Sequence, residues 1–453
     1  MVKISQKIRD KLIEIKNILP DKDIFVVGGA IRDSLLGKDI EDVDIVILGL
    51  NVVQFFKKHK IGMFIVLHHK IDEVRLIFDH DFIDIGGEEK RIEDNLLKRD
   101  FTVNAMAVKL DDFLDFSFLD DQEKVIDVVG GMSDLKDKRL RKVTENSIKE
   151  DRLRILRALR FMLYYNLIPE KQIIDDIKSI NFSGIAAERI RYELLKILSY
   201  PFSSRVVCLM GYTGIFSKLF PKSAPLFDDK DLIRHSLLTY ITLERILRVE
   251  NYLTKIPEIK EFIVNERWKI PILKLSALFH DIGKPYTRME KDGEVHFYGH
   301  DTLGANMIKE MAEEIRFSSR EINFLRSMIK RHMHLHLLAT APVLTDRAIR
   351  RFFRILGDIA VPIILLTYAD GYATARRVEH IEQTVSRMIE LKREDDRKLQ
   401  RKRIITGYDL IEIGIPRGPI YKKILEEVED MFLERKLKTK KECLEWVREK
   451  YLT

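Results

Sequence analysis

Cysteine is nearly absent: Cys208 and Cys443 are the only two in 453 residues. A pair so widely separated builds neither a thiolate zinc cluster nor a disulfide framework, and it fits a reducing, cytoplasmic setting. Long apolar runs are missing too. None approaches the roughly 18 residues that a membrane span requires, so no membrane partner is expected. The opening MVKISQKIRDKLIEIKN is too charged for a signal peptide. Tandem repeats and low-complexity tracts are also lacking, which sets aside repeat arrays.

What remains is ordinary globular material. The hydrophobic fraction of 45% supports real cores, and 453 residues allow roughly two to four domains. A net charge of +7 and a pI near 9.0 suit a polyanionic partner without demanding one. The charged fraction of 33%, rich in Lys and Glu, hints at a thermophile.

Residues 1–145 mix short strands and helices. An amphipathic helix is expected around Val52, Val53, Phe55 and Phe56, and strand-like runs occupy Met63–Leu67, Val74–Phe78, Phe82–Ile85 and Asn104–Leu110. From 146 onward the period is almost purely helical. Breaks near Tyr200-Pro201 and at the charged run Lys392–Arg403 divide that part. The expected fold is α+β: a head with a mixed sheet at 1–145, then an all-α neck at 146–205, body at 206–391 and tail at 392–453.

The stretch Phe25 to Ile47, FVVGGAIRDSLLGKDIEDVDIVI, carries the first chemistry. An apolar strand runs into Gly28-Gly29, which lets backbone N–H groups approach a ligand with no Cβ in the way. Arg32-Asp33 follows, then a second strand at Val43–Ile47. Asp42 and Asp44 stand two apart at its mouth, on one face by the period of a strand. Paired carboxylates offer hard oxygen ligands to Mg²⁺, and a glycine loop with Arg offers donors to a triphosphate. Further on, Glu150-Asp151-Arg152-Leu153-Arg154 reads as a helix with Asp151 and Arg154 on one face. A carboxylate with a guanidinium complements the amino and ring-nitrogen groups of C and A, and leaves unpaired groups against U or G.

These motifs resemble the class II tRNA nucleotidyltransferase and bacterial poly(A) polymerase family, and the likeness covers nearly the whole chain. The resemblance implies a polymerase-β-like head whose catalytic carboxylates are Asp42, Asp44 and a third acid. Asp84 in FIDIGG fits the family position, with Asp79 and Asp81 as rivals. Lys98-Arg99-Asp100-Phe101-Thr102-Val103-Asn104 is similar to the RRDxxxN motif. It implies that Arg99, Asp100 and Asn104 join Gly28, Gly29 and Arg32 around the nucleotide, where an amide and a carboxylate suit a 2′-OH. Lys98 departs from that motif and loses a bidentate fork. Asp127, Gly130-Gly131 and Asp134-Leu135 resemble a head-to-neck connection, and Ala187-Glu188-Arg189-Ile190 with Glu193 a neck brace. Asp151 and Arg154 match the family's EDxxR, with Arg157 and Arg160 continuing toward phosphates.

His235, His280-Asp281 and Asp370 follow the order of the HD phosphohydrolase superfamily, with His300 and His332 where dinuclear members place further ligands. Imidazoles with carboxylates suit a divalent transition metal. His334 and His336 have no assignment. The tail, with Lys422-Lys423 and the basic run from Arg435 to Lys441, resembles the piece of bacterial relatives that touches tRNA. The expected function is addition of C and A to tRNA 3′ ends from CTP and ATP without a template. Alternatives are a CC-adding, A-adding or poly(A)-forming relative, an HD phosphohydrolase with an RNA-recruiting head, and a non-catalytic RNA-binding adaptor.

Overall fold

The computed structural model describes residues 2–59, 61–67, 72–79, 81–87, 89–249, 251–399 and 404–452. The end of the charged run, 400–403, lies outside them. The chain divides into two compact units. One ends at Phe227 and also takes Glu314–Arg316; the other holds Asp228–Glu313 and the chain from Phe317 on.

The first unit is organised by a seven-stranded mixed sheet. In chain order its strands are β1 (Ile24–Val27), β2 (Val43–Ile47), β3 (Met63–Val66), β4 (Glu73–Phe78), β5 (Asp81–Gly86), β6 (Met106–Lys109) and β7 (Ile126–Asp127). Across the sheet they run β3-β4-β5-β2-β1-β6-β7. All four residues of β1 are apolar and buried, as a central strand requires. β2 pairs antiparallel with β1 and parallel with β5, which seats Asp44 opposite Asp84. Helix Gln6–Ile18 presents a stripe of Ile8, Leu12 and Ile15 to the core. Every strand-like run becomes a strand, but the last is shorter than expected. Asn104 sits in the 3₁₀ turn Thr102–Asn104, and Leu110 opens the helix Leu110–Leu114.

After 146 the chain is helical with two exceptions. Ile168–Pro169 pairs with Arg139–Leu140, and Met289–Lys291 forms a hairpin with Glu294–His296. Asp292 and Gly293 turn that hairpin with φ of 54° and 79°, as a type I′ turn requires. In the second unit, helices Lys230–Arg248, Lys269–Phe279, Ser319–Arg331 and Ala360–Ala375 pack on one another. The span Asp346–Ala375 is apolar enough by composition to cross a membrane. It breaks at Gly357, however, and its second half is core, with Ile363, Ile364, Leu365 and Leu366 all buried. The last helices, Gly407–Glu412, Ile420–Leu433 and Lys440–Tyr451, share a small core that includes Leu410, Ile424, Cys443 and Val447.

Two polar devices set the geometry of the first unit. Asp127 accepts from four successive N–H groups, those of Val129, Gly130, Gly131 and Met132, at 3.3, 2.9, 2.8 and 2.9 Å. It thereby starts the helix Gly131–Lys136. Gly131 is required there, because a Cβ would fall 2.1 Å from the Thr102 carbonyl oxygen. The second device is a relay. Arg32 donates to Asn104 Oδ1, Asn104 Nδ2 donates to Asp100 Oδ1 at 3.0 Å, and Arg157 donates to Asp100 Oδ2 at 2.7 Å. Arg160 continues it to Glu193 Oε2 at 2.7 Å. Burial pushes the Asp100 carboxyl up, but Arg157, Asn104 and the Phe101 N–H outweigh it and hold its pKa at about 2.

Replacing Asp127 with Ala should cost the first unit about 2 kcal/mol or more, because four amides lose an ionised acceptor. Urea unfolding measures it, and an unchanged midpoint would refute the capping role. Arg157→Met strands a buried carboxylate, at an expected cost of about 3–5 kcal/mol. Asp100 would then carry a folded pKa above its unfolded one, a penalty present at high pH and relieved as the group protonates. The deficit should therefore be larger at pH 8 than at pH 5; equal deficits would mean that Asp100 is not the stranded group.

Candidate functional site

Asp44 lies on β2 between the end of β1 and Asp84 of β5. Asp42 stands exposed just before the strand. Gly28 follows β1 with φ +76°, and a Cβ on it would fall 2.3 Å from Arg99 Nη1. Glycine is what lets that guanidinium lie over the loop, 3.8 Å from Asp44 Oδ2. Burial raises the Asp44 pKa, with Asp84 and Asp42 adding to it and Arg99 and Arg157 opposing. Glu73 is raised in the same way, by burial and then by Asp84 and Asp44. Arg75 grips Asp84 with both ends of its fork, at 2.7 and 2.8 Å, and lies 4.0 Å over the Phe82 ring. The result is a carboxylate cluster short of positive charge, the setting that a divalent ion suits.

Both rivals to Asp84 point elsewhere. Asp79 pairs with Lys7 at 2.6 Å in a turn, and Asp81 accepts from Ser5 Oγ at 3.1 Å. The sequence reading missed Glu73 and Arg75. Their signal was the alternation of polar and apolar residues in Glu73-Val74-Arg75-Leu76, which aims both polar side chains at one face.

The other residues expected around a nucleotide divide into two sets. Gly28, Gly29 and Arg99 adjoin the acidic cluster. Arg32, Asp100 and Asn104 are buried with their polar groups turned to protein. Arg32 also stacks 3.9 Å over Tyr165, so it is not free to meet a phosphate. Arg157 and Arg160 face Asp100 and Glu193. The expected single helix through Asp151 and Arg154 does not form. Asp151 is extended, after the short helix Ser147–Glu150, and the next helix starts at Arg154. The cause is local: Asp151 Oδ1 accepts from the Leu153 N–H at 3.1 Å, a turn that competes with helix. Nor do the two residues pair. Asp151 Oδ2 takes a 2.6 Å bond from Arg189, while Arg154 donates to the carbonyls of Lys98 and Ser147 at 2.7 and 3.1 Å.

In the second unit two groups of three ligands form: His235, His280 and Asp370, and beside them Asp281, His300 and His332. Within each group the ligand atoms lie within 4.8 Å of one another. His235 and Asp370 sit inside helices and His300 opens one, whereas His280, Asp281 and His332 stand just past helix ends. The placement has a shared device. His280, His300 and His332 each bond a carbonyl three residues earlier through Nδ1, at 3.0, 2.7 and 2.7 Å. Those donations fix the proton on Nδ1 and turn the Nε2 lone pairs inward. Nε2 atoms then face each other at 3.1 Å (His235–His280) and 3.2 Å (His300–His332).

Nitrogens so close need a cation between them, a proton or a metal ion. Asp281 lies between the groups: Oδ2 is 3.2 Å from His280 Nε2, and Oδ1 is 3.6 Å from His300 Nε2. Its buried Oδ2 accepts no well-formed hydrogen bond, although Lys284 Nζ stands 2.6 Å away. Burial lowers the basicity of His280, but Asp281 and Asp370 win and hold it protonated, with a pKa of about 10. His332 goes the other way, to about 4, through burial and the His280 charge. An acceptor set of this composition fits divalent ions.

Comparison with known proteins matches both parts of the chain that carry these clusters. The family model "Poly A polymerase head domain" matches residues 24–141, "Probable RNA and SrmB-binding site of polymerase A" matches 172–227, and "HD domain" matches 232–406. The chain is 26% identical to a CC-adding tRNA nucleotidyltransferase of Thermus thermophilus, across 93% of this chain and 92% of that one. A CC-adding tRNA nucleotidyltransferase of Synechocystis is also 26% identical, across 94% and 92%. Among solved structures, the Thermotoga maritima CCA-adding enzyme complexed with tRNA superposes with a TM-score of 0.64 at 22% identity, covering 98% of this chain and 95% of that one. The chain carries a poly(A) polymerase head domain followed, in its second half, by an HD domain, and is similar along nearly its whole length to tRNA nucleotidyltransferases.

Proposed function

We propose that the chain extends tRNA 3′ ends with C, A or both, drawing on CTP and ATP without a nucleic-acid template, in the cytoplasm. The observation that carries this reading is the parallel register of Asp44 with Asp84 beside Gly28 and Arg99. In this reading Asp42, Asp44 and Asp84 hold Mg²⁺, which supplies Lewis-acid stabilisation of the triphosphate and a more acidic attacking hydroxyl. Arg99 neutralises phosphate over the glycine loop. The tRNA 3′ oxygen attacks the α-phosphorus, and pyrophosphate leaves. Asp151 and Arg154 read the base edge from opposite anchorages: Asp151 held by Arg189, Arg154 by backbone carbonyls. Residues 1–145 form the head, 146–205 the base-reading neck, 206–391 the HD body and 392–453 a basic tail for tRNA.

Transcripts ending before CCA, after C and after CC, each offered one labelled NTP, test the reading. Incorporation of C, A or both is expected, and C alone would narrow the activity to that of the two CC-adding relatives. Asp44→Ala should lower addition by several orders of magnitude while tRNA still binds. A variant adding at more than about a tenth of the parent rate, within about 1.4 kcal/mol, would overturn the head assignment.

The two ligand groups support a second activity, hydrolysis of phosphomonoesters or phosphodiesters with divalent transition ions in the HD body. Chelator-stripped protein should take up two such ions per chain, and Asp281→Ala should weaken both without altering CTP or ATP incorporation. Metal analysis after dialysis decides it; undiminished uptake by the variant would sink the role of Asp281.

A further inference from the structure

We infer that His336 is a positioning residue that fixes Asp370, so that it supports one ligand group and leaves the other untouched. The inference rests on the reading of both groups as metal sites. His336 lies on the short helix Met333–Ala339, one turn beyond His332. Neither ligand group includes it. Its Nε2 stands 2.8 Å from Asp370 Oδ2, while Asp370 Oδ1 faces His235 Nε2 at 3.0 Å.

Proton logic separates His336 from the ligands. Three of the ligand histidines commit Nδ1–H to a backbone carbonyl and turn Nε2 inward. The Asp370 carboxylate can only accept, so His336 must carry its proton on Nε2, the opposite tautomer. An N–H aimed at a carboxylate cannot bind a metal through the same nitrogen. Its work is to hold Oδ2, which leaves Oδ1 turned toward His235 and His280. The second group's carboxylate has a different outer partner, Lys284, whose Nζ stands 2.6 Å from Asp281 Oδ2. Asp281 Oδ1 meets only His300 and His332, at 3.6 and 3.8 Å. Outer partners of this kind typically change metal affinity by about 10- to 100-fold.

The test uses the full-length, chelator-stripped chain titrated with Mn²⁺ under equilibrium dialysis. With the head's acidic cluster removed by Asp44→Ala in every protein compared, the chain otherwise unchanged should bind two ions. In His336→Ala one site should weaken by about 10- to 100-fold and the other stay as in the parent. His336→Gln, which keeps an N–H donor, should recover to within a few-fold. Unchanged binding in His336→Ala, or equal weakening at both sites, overturns the inference. Should the Ala variant fail to fold by circular dichroism, His336→Phe, which keeps the ring and drops the donor, carries the same expectation. A parent that binds no ion overturns the metal reading itself, a result distinct from an unaffected variant.

Discussion

The ion pair between Asp100 and Arg157 is the contact on which the first unit's chemistry depends. It joins a carboxylate just before the 3₁₀ turn that leads into β6 to a guanidinium one turn inside the helix Arg154–Tyr164. Everything expected to touch a nucleotide hangs from one side of it or the other. Asn104 and Arg32 follow from Asp100, and Arg32 lies on the helix that leaves the glycine loop. Arg154 shares its helix with Arg157 and reaches back to the Lys98 carbonyl. A buried pair of this kind adds little net stability over an apolar substitute, but its geometry is exacting and breaking it is costly. It is therefore suited to fixing position, and the residues it fixes are those on either side of the acidic cluster.

The two sites hold concentrated charge in different ways. The head gathers Asp42, Asp44, Asp84 and Glu73 and leaves part of that surface open, with Arg75 and Arg99 as partial counter-ions. Burial, with the like charges adding to it, makes Asp44 and Glu73 hold onto protons, which is why both shift upward. An incoming cation relieves the strain, so the cluster favours binding over a permanent resident. The second unit instead buries its ligands, with His280, Asp281 and His332 all at about 1% exposure or less. There the carboxylates keep a proton on His280 at neutral pH, and an ion entering has to displace that proton.

Much of this was legible in the sequence, and the reasons differ by residue. Strands rich in Val and Ile announced themselves, and the order of the HD residues needed no geometry. Asp42 and Asp44 stood out because a strand's period of two puts them on one face, whereas Asp84 was singled out among its rivals only by the family resemblance. Harder to read were positions where other groups compete for a side chain. Asp100, Asn104 and Arg32 look like ligand-binding groups in one dimension; only the fold reveals that they satisfy one another. Asp151 looked helical because Glu150 to Arg154 has good helix formers. A single Asx turn to Leu153 broke the pattern, an effect worth about as much as a cap. The hairpin at Met289–His296 was missed although Asp292-Gly293 is a strong turn signal, since the surrounding period was read as helical throughout.

The broken helix has a consequence for base selection. On a continuous helix Asp151 and Arg154 would neighbour each other and pair, and a pair that satisfies itself has less to offer a ligand. The turn parts them. The Asp151 carboxylate is steadied by Leu153 and Arg189, the Arg154 guanidinium by the carbonyls of Lys98 and Ser147. Each is thus held without neutralising the other, and little reorganisation is left to pay when a base edge arrives. Arg189, in a segment that reads as a mere brace, then sets the direction of the Asp151 acceptor. Under the proposed base-reading role, bracing and specificity are the same contact, because a hydrogen-bonding group discriminates between bases only as well as its orientation is fixed.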